Sequence, residues 1–123
     1  MKNMTSLEIR KVLGLSTAHI SVETRMCLKR TAHMAEIGDN EADDEDDVIG
    51  LTVYDFCYGF FVFTGGLKII GGKICNTYNN NAPCSPMPRD LADCISLALE
   101  NDCQWIQFDR DAGEVEQLPV YED

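Results

Sequence analysis

Two aspartates near the end of the chain have a spacing that could place both carboxylates on one metal ion. Asp109 and Asp111 flank Arg110. In an extended strand alternate side chains point to the same side, and carboxylate oxygens are ligands that Mg²⁺ or Mn²⁺ prefers. The competing interpretation is a turn at the end of a strand, in which Arg110 pairs with a neighbouring carboxylate. We favour the turn, and assign no metal site and no cofactor.

A second group, Ser16, Thr17 and His19, could supply a nucleophile and a base. Thr17 and His19 would share one face of a strand, and Asp109 or Asp111 could orient the imidazole. The G-x-S-x-G nucleophile elbow is absent, however, and a histidine in a buried strand is more often a hydrogen-bonded core residue. His19, Asp109 and Asp111 are therefore weak catalytic candidates, and we favour a protein that is not an enzyme.

The densest charge lies in an acidic segment that no lysine or arginine interrupts. Its acidic residues are Glu36, Asp39, Glu41, Asp43, Asp44, Glu45, Asp46 and Asp47. The whole chain has 21 acidic and 10 basic residues and a formal net charge of -11. Phosphate contacts need a basic surface, so this charge argues against direct binding of nucleic acid. It favours a partner that is itself basic, because electrostatic steering depends on the sign of the summed field.

Two uses of the acidic segment remain open. It can be a solvated linker that keeps the protein in solution, or a mimic of nucleic-acid charge that occupies a groove lined by Lys and Arg. Self-repulsion predicts an exposed, flexible loop over about residues 38–47. For the second use, the predicted partner-binding residues are Asp43, Asp44, Glu45, Asp46 and Asp47. A calcium loop is not indicated, because the internal glycine of the EF-hand pattern is missing.

The cysteines and the N-terminus bear on the cellular compartment. The chain has six cysteines and no C-x-x-C pair, so we expect free thiols rather than a zinc site. The first six residues lack the apolar region of a secretory signal, and no stretch approaches the ~18 apolar residues of a membrane span. We therefore expect a cytoplasmic protein with no membrane partner.

The elements that must position these residues follow the order β-α-β-β-α-β. Strands are predicted at 12–20, 51–54, 58–63 and 104–108, with a return arm at 68–73, a loop at 76–88 and an acidic tail at 109–123. Ser21 is the predicted N-cap of a helix that runs to about Glu36 and stops near Gly38. Pro88 opens the second helix, which Asn101 and Asp102 close.

This order predicts an α+β fold in a single domain, residues 1–123. The economical arrangement is a two-layer sandwich with both helices on one face of a small, mainly antiparallel sheet, similar to a split βαβ unit. The first and last strands would then run antiparallel, which separates His19 from Asp109. The other sheet face must be polar, covered or used for binding. A homodimer interface is left open.

Aromatic residues crowd the middle of the chain. They are Tyr54, Phe56, Tyr58, Phe60, Phe61 and Phe63. Such a group can stack on nucleic-acid bases, but no basic residue interleaves with it here, so core packing is the favoured use. Any of these rings left exposed would supply binding affinity for a protein partner.

Three stretches of the chain form a recognisable set: LSTAHIS at 15–21, DCQWIQFDRDA at 102–112 and the closing LPVY at 118–121. Together they resemble a family of small uncharacterised proteins carried by bacteriophages, prophages and plasmids. The resemblance covers about a quarter of the chain and implies genomic context, not catalytic residues. Small acidic proteins of mobile elements often act on host machinery, including as inhibitors of restriction or CRISPR defence.

The leading hypothesis is therefore a non-enzymatic, acidic interaction protein. It would bind and inhibit a host defence or nucleic-acid-processing protein with a basic surface, as an anti-CRISPR or anti-restriction factor. The alternatives are a small metal-assisted hydrolase that uses His19 with Asp109 and Asp111, and an antitoxin-like regulatory partner.

Overall fold

The computed structural model describes residues 10–37, 51–84 and 87–121. The predicted acidic loop, including the partner-binding residues at 43–47, lies outside the described residues. The helices are α1 (Val22–Ile37) and α2 (Arg89–Glu100). The strands are β1 (Val12–Ser16), β2 (Thr52–Phe56), β3 (Gly59–Phe63), β4 (Leu67–Ile70), β5 (Lys73–Asn76), β6 (Ala82–Pro83) and β7 (Trp105–Asp109). Short 3-10 turns occupy Thr17–His19 and Thr77–Asn79.

The main sheet of the described residues has four strands in the order β1-β7-β3-β2. β7 runs antiparallel to β3 but parallel to β1, with Ser16 beside Asp109. The expectation that the first and last strands run antiparallel is thus wrong. The last strand takes an inner position, where Ile106 and Phe108 are fully buried. A strand with two such apolar residues gains more from burial between neighbours than at a sheet edge.

A second sheet of three strands, in the order β4-β5-β6, lies between β3 and α2 in the sequence. The predicted β-α-β-β-α-β order is therefore not confirmed, although the α+β class is. β4 and β5 pair with each other across Gly71 and Gly72, whose φ angles are +58° and +80°. Glycine adopts positive φ without steric cost, so this pair makes a two-residue hairpin turn. The prediction that residues 68–73 return as the second arm of a hairpin is therefore wrong, because β4 pairs with β5 and β3 pairs with β2 and β7.

The hydrophobic core combines one set of alternate sheet positions with apolar residues of both helices. Its fully buried members include Leu15, Val53, Val62, Ile106 and Phe108 from the sheet, with Leu28 from α1 and Leu91 and Ile95 from α2. Removal of this apolar surface from water is the main driving force for folding. The shared core joins the helices to the sheet. That both helices cover one sheet face stays a prediction.

The predicted start of α1 is confirmed by its capping geometry. The hydroxyl oxygen of Ser21 accepts a hydrogen bond from the backbone N–H of Thr24 at 3.2 Å. This contact satisfies one of the N–H groups that the first turn of a helix leaves without an intrahelical partner. The predicted start of the second helix is also close, because α2 begins at Arg89, directly after Pro88.

Candidate functional site: an aromatic sheet face

Six aromatic side chains form a continuous patch on the main sheet, which we call the aromatic face. Its members are Tyr54, Phe56, Tyr58, Phe61, Phe63 and Trp105. Five of them lie on β2, β3 and β7, at positions that alternate with the buried core residues. Successive side chains of a strand point to opposite faces, so these rings lie on the side opposite to the core.

The strand register brings the rings into contact. Phe63 lies beside Trp105, and Phe61 lies beside Tyr54 on the neighbouring strand. The ring centroids of Phe63 and Trp105 are 4.9 Å apart, as are those of Phe56 and Phe61. Cross-strand aromatic pairs at these distances stabilise a sheet, so the face is held in a defined arrangement.

The aromatic face is only partly shielded from water. Tyr54 is 52% exposed and Tyr58 is 46% exposed, while the other four rings are half-buried. The prediction of core packing is right for Phe60, which is buried, and wrong for the other five aromatic residues named from the sequence. A contiguous exposed apolar patch of this kind is typical of an interaction site.

A signal for this face was present in the sequence. In β3, Phe61 and Phe63 alternate with the buried Phe60 and Val62. In β7, Trp105 is half-buried, and Ile106, which follows it, is buried. A strand that packs only one face on a core needs apolar residues at every second position, so apolar residues at both sets of positions mark a second use.

His19 is a buried, hydrogen-bonded residue of the fold. Its side chain is 1% exposed, and the backbone N–H of Val115 donates to Nε2 at 2.9 Å. Because Nε2 accepts, the proton of the neutral ring lies on Nδ1, which donates to the carbonyl of Pro119 at 2.8 Å. Both nitrogens are engaged by backbone groups, so the ring holds residues 115–121 against the end of β1 rather than facing a substrate.

The hydroxyl groups next to His19 are also buried. Ser16 Oγ accepts a hydrogen bond from the backbone N–H of Ala18 at 3.1 Å, and caps the 3-10 turn that contains Thr17. The parallel pairing of β1 and β7 places Asp109 beside Ser16, closer than the sequence led us to expect. Even so, His19 does not serve as a base for Ser16 or Thr17, because backbone groups engage both of its ring nitrogens.

Asp109 and Asp111 form the turn that was the favoured interpretation. Asp109 Oδ1 accepts a hydrogen bond from the backbone N–H of Asp111 at 2.9 Å, and the Asp109 carbonyl accepts one from the N–H of Ala112 at 3.0 Å. Asp111 lies beyond the end of β7, so the two carboxylates do not share a strand face. Arg110 lies over the ring of Tyr58 at 4.9 Å.

Sequence reasoning missed Asp90, which joins the starts of the two helices. Its buried carboxylate accepts hydrogen bonds from the backbone N–H of Ser21 and from the hydroxyl group of Thr24, each at 2.7 Å, and from the N–H of Leu91 at 3.0 Å. A carboxylate at a helix N-terminus is stabilised by the helix dipole. The sequence signal is an acidic residue in the first turn of α2. That this residue also binds the start of α1 could not be predicted from the sequence.

None of the six cysteines forms a disulfide; Cys57 is exposed and the other five are buried. Burial, together with the charges of Asp90 and Asp93, raises the pKa of Cys94 to about 12. Burial and the neighbouring Cys75 raise the pKa of Cys84. These thiols therefore stay protonated at neutral pH and are poor nucleophiles and metal ligands.

Residues 10–37, 51–84 and 87–121 contain neither a metal-binding cluster nor a membrane-spanning helix. No group of three or more His, Cys, Asp or Glu side chains there is placed to hold a metal ion. No helix in this part of the chain has the length and apolar character needed to cross a membrane.

Comparison with known proteins places the chain in a family. A family model described as the C-terminal domain of a family of unknown function, DUF5983, matches residues 12–123. The chain belongs to this family. No curated protein and no solved structure matches it. The expected relation to an uncharacterised family is confirmed, whereas carriage by phages, prophages or plasmids stays a prediction.

In this DUF5983 domain, the three stretches that carried the resemblance contact one another. β1 pairs with β7, and the ring of His19 binds the carbonyl of Pro119 in the closing stretch. The N–H of Tyr121 also donates to the carbonyl of Ala18 at 2.7 Å. The described part of the predicted acidic tail is therefore anchored, up to residue 121, to the 3-10 turn that follows β1.

Proposed function

We propose that this protein is a non-enzymatic interaction protein that binds a basic surface of a protein partner through its aromatic face. The observation that carries the proposal is the face itself, with six rings in contact, of which Tyr54 and Tyr58 are about half exposed. A contiguous aromatic patch that stays partly exposed in the folded protein is typical of an interaction site, because a partner can remove it from water.

The chemistry of the face suits a protein partner. Tyrosine and tryptophan are enriched among the residues that dominate binding energy, because each buries a large area with few rotatable bonds and can add a hydrogen bond. Tyr54 and Trp105 lie next to each other, with ring centroids 6.2 Å apart. They provide a rigid centre for an interface.

The net charge of the chain indicates the sign of the charge on the partner's surface. A net charge of -11 draws a basic surface toward the protein and repels an acidic one. In this proposal the acidic residues Asp43, Asp44, Glu45, Asp46 and Asp47 steer the partner, and the aromatic face supplies affinity. The same charge disfavours nucleic acid, although exposed aromatic residues on a sheet also occur in RNA-binding domains.

The finer identity of the partner follows from the predicted genomic context. A protein of a mobile element with this charge would act on a host defence or nucleic-acid-processing protein, as an anti-CRISPR or anti-restriction inhibitor does. An antitoxin-like role rests on the same physics and differs only in the target. The hydrolase alternative needs a ring nitrogen of His19 to exchange a proton, and hydrogen bonds to the backbone engage both.

The test compares two exposed tyrosines. Tyr54→Ser removes a ring of the aromatic face, whereas Tyr78→Ser removes a ring that is 78% exposed and lies on the turn before β6. Proteins retained from bacterial lysate at low and moderate salt would be identified, purified and titrated against both variants. The fluorescence of Trp105, the single tryptophan, reports contact with the face.

We expect the purified partner to be basic, to change the Trp105 fluorescence and to bind more weakly at moderate salt. Tyr54→Ser should weaken binding by about tenfold or more, and Tyr78→Ser should not. Equal affinity of both variants would remove the aromatic face from the proposal. Fluorescence changes with a single-stranded oligonucleotide, or self-association that Tyr54→Ser abolishes, would replace the basic protein with nucleic acid or a second copy of the chain.

A further inference from the structure

A cavity of about 570 Å³ opens beside the aromatic face, between α1 and the turn that joins β2 to β3. Its polar lining includes the side chains of Arg25 and Lys29 from α1, Arg110 from the end of β7, and Asp55 from β2. This volume lies within the range of about 300–1,000 Å³ that is typical of small-molecule sites. The cavity shares Phe56 and Tyr58 with the aromatic face, whereas its charged lining residues lie outside that face.

The charge of the cavity lining is opposite to that of the protein. The charged residues of the lining are mainly cationic, namely Arg25, Lys29 and Arg110 with the carboxylate of Asp55, whereas the whole chain carries a net charge of -11. Arg25 and Lys29 are four residues apart on α1, so they lie on the same side of the helix. Such a local reversal of sign concentrates anions at one place on a protein that otherwise repels them.

Arg110 is positioned by its neighbours rather than free in solution. Its guanidinium lies 4.9 Å from the centroid of the Tyr58 ring, and its backbone N–H donates to the carbonyl of Tyr58 at 3.0 Å. Stacking engages the flat side of the guanidinium and leaves the N–H groups in its plane available for an oxyanion.

The wall that carries Arg110 is also fixed by close packing. A Cβ atom on Gly59 would lie 1.7 Å from the carbonyl oxygen of Phe108, so the start of β3 lies directly against β7. A site on strands held this closely needs little reorganisation when a ligand enters.

We propose that this cavity binds a small organic phosphate monoester. A phosphate monoester carries about -1.5 to -2 charges at neutral pH, so one such group can interact with both Lys29 and Arg110. Arg110 and Lys29 would donate charge-assisted hydrogen bonds to its oxygens. The half-buried ring of Phe56 lines the same cavity and would contact the apolar or aromatic part of the ligand.

The experiment measures binding of three probes to the whole chain by calorimetry and by NMR. The probes are inorganic phosphate, a nucleoside monophosphate and the matching uncharged nucleoside. Lys29→Gln and Arg110→Gln each remove one positive charge at the cavity, and Lys73→Gln removes one from the exposed surface of β5. Arg110→Lys keeps the charge but loses the planar donors.

We expect saturable binding of at least one phosphate probe, with shifted NMR signals at the cavity, and no binding of the nucleoside. Lys29→Gln and Arg110→Gln should each weaken binding about tenfold, Arg110→Lys should weaken it less, and Lys73→Gln should leave it unchanged. The proposal is overturned by absent binding of both phosphate probes, by equal binding of the nucleoside, or by an equal effect of Lys73→Gln. Circular dichroism confirms that each variant is folded.

Discussion

His19 donates a hydrogen bond from Nδ1 to the carbonyl of Pro119 at 2.8 Å, across 100 residues of sequence. Nε2 of the same ring accepts from Val115, so one side chain holds two backbone groups of the C-terminal segment. Leu118, between these two residues, is buried in the core cluster. A residue that the sequence offered as a catalytic base thus fixes residues 115–119 to the turn that follows β1.

Replacement of His19 by alanine should lower the free energy of unfolding by about 2–4 kcal/mol, because it removes a buried side chain and leaves two backbone groups without their partner. The measurement is chemical denaturation followed by Trp105 fluorescence. His33→Ala is the matched control, because His33 is exposed on α1. Equal stability of the two variants would contradict a structural role for His19.

Asp90→Ala should destabilise the protein by about 2–3 kcal/mol, because the carboxylate accepts hydrogen bonds at the starts of both helices. Thermal unfolding followed by circular dichroism measures the change. Asp93→Ala, which alters an exposed residue of the same helix, should change stability by less than about 0.5 kcal/mol. A similar loss in both variants would mean that the contacts of Asp90 contribute little.

Gly59→Ala should prevent folding or cost more than about 3 kcal/mol, because the new Cβ would lie 1.7 Å from the Phe108 carbonyl oxygen. Gly14→Ala is the control, since a Cβ at Gly14 meets nothing within 4 Å. The dispersion of amide signals in NMR spectra distinguishes a folded from an unfolded variant. A well-folded Gly59→Ala protein would show that β3 and β7 are not packed this closely.

The thiols should differ in reactivity toward an alkylating reagent. Cys57 is exposed and should be labelled first, whereas Cys94 should be labelled last, because its burial and the charges of Asp90 and Asp93 raise its pKa to about 12. Peptide mass spectrometry after timed alkylation gives the order. Labelling of Cys94 at the rate of Cys57 would show that it is accessible in the folded protein.

The raised pKa of Cys94 also predicts how stability changes with alkaline pH. Below its ordinary pKa of 9.0 the thiol is protonated in both states, and its contribution is fully present. Between pH 9.0 and about 12 the unfolded chain loses this proton while the folded protein keeps it, so stability falls as pH rises. Cys94→Ala should reduce this fall by up to roughly 1.4 kcal/mol per pH unit. An unchanged pH dependence in the variant would contradict the raised pKa.

Signals within a few residues of the sequence were enough to predict several elements of the fold. The capping hydroxyl of Ser21 and the apolar spacing of Leu91, Cys94, Ile95 and Ala98 predicted the starts and inner faces of the helices, because capping and helical periodicity act within a few residues. The α+β class followed from the same signals. The strong negative charge is a property of composition alone.

Pairing between distant strands was not predictable in this way. β1 and β7 have similar apolar patterns, and nothing within either strand states that they run parallel. Whether Phe61, Phe63 and Trp105 face the core or the opposite side of the sheet depends on which of the alternating residues of each strand pack into the core. The pattern at both sets of positions showed that a second apolar face exists, but not that it remains partly exposed.

The sequence by itself determined the charge, the two helices, the four strands of the main sheet and the membership suggested by three short stretches. Only the tertiary structure decided that His19 binds Pro119, that Asp90 joins two helix starts, and that the aromatic face and the cationic cavity lie side by side. The physical reason is that periodicity, capping and turn chemistry act over a few residues, whereas these contacts join groups as far as 100 residues apart.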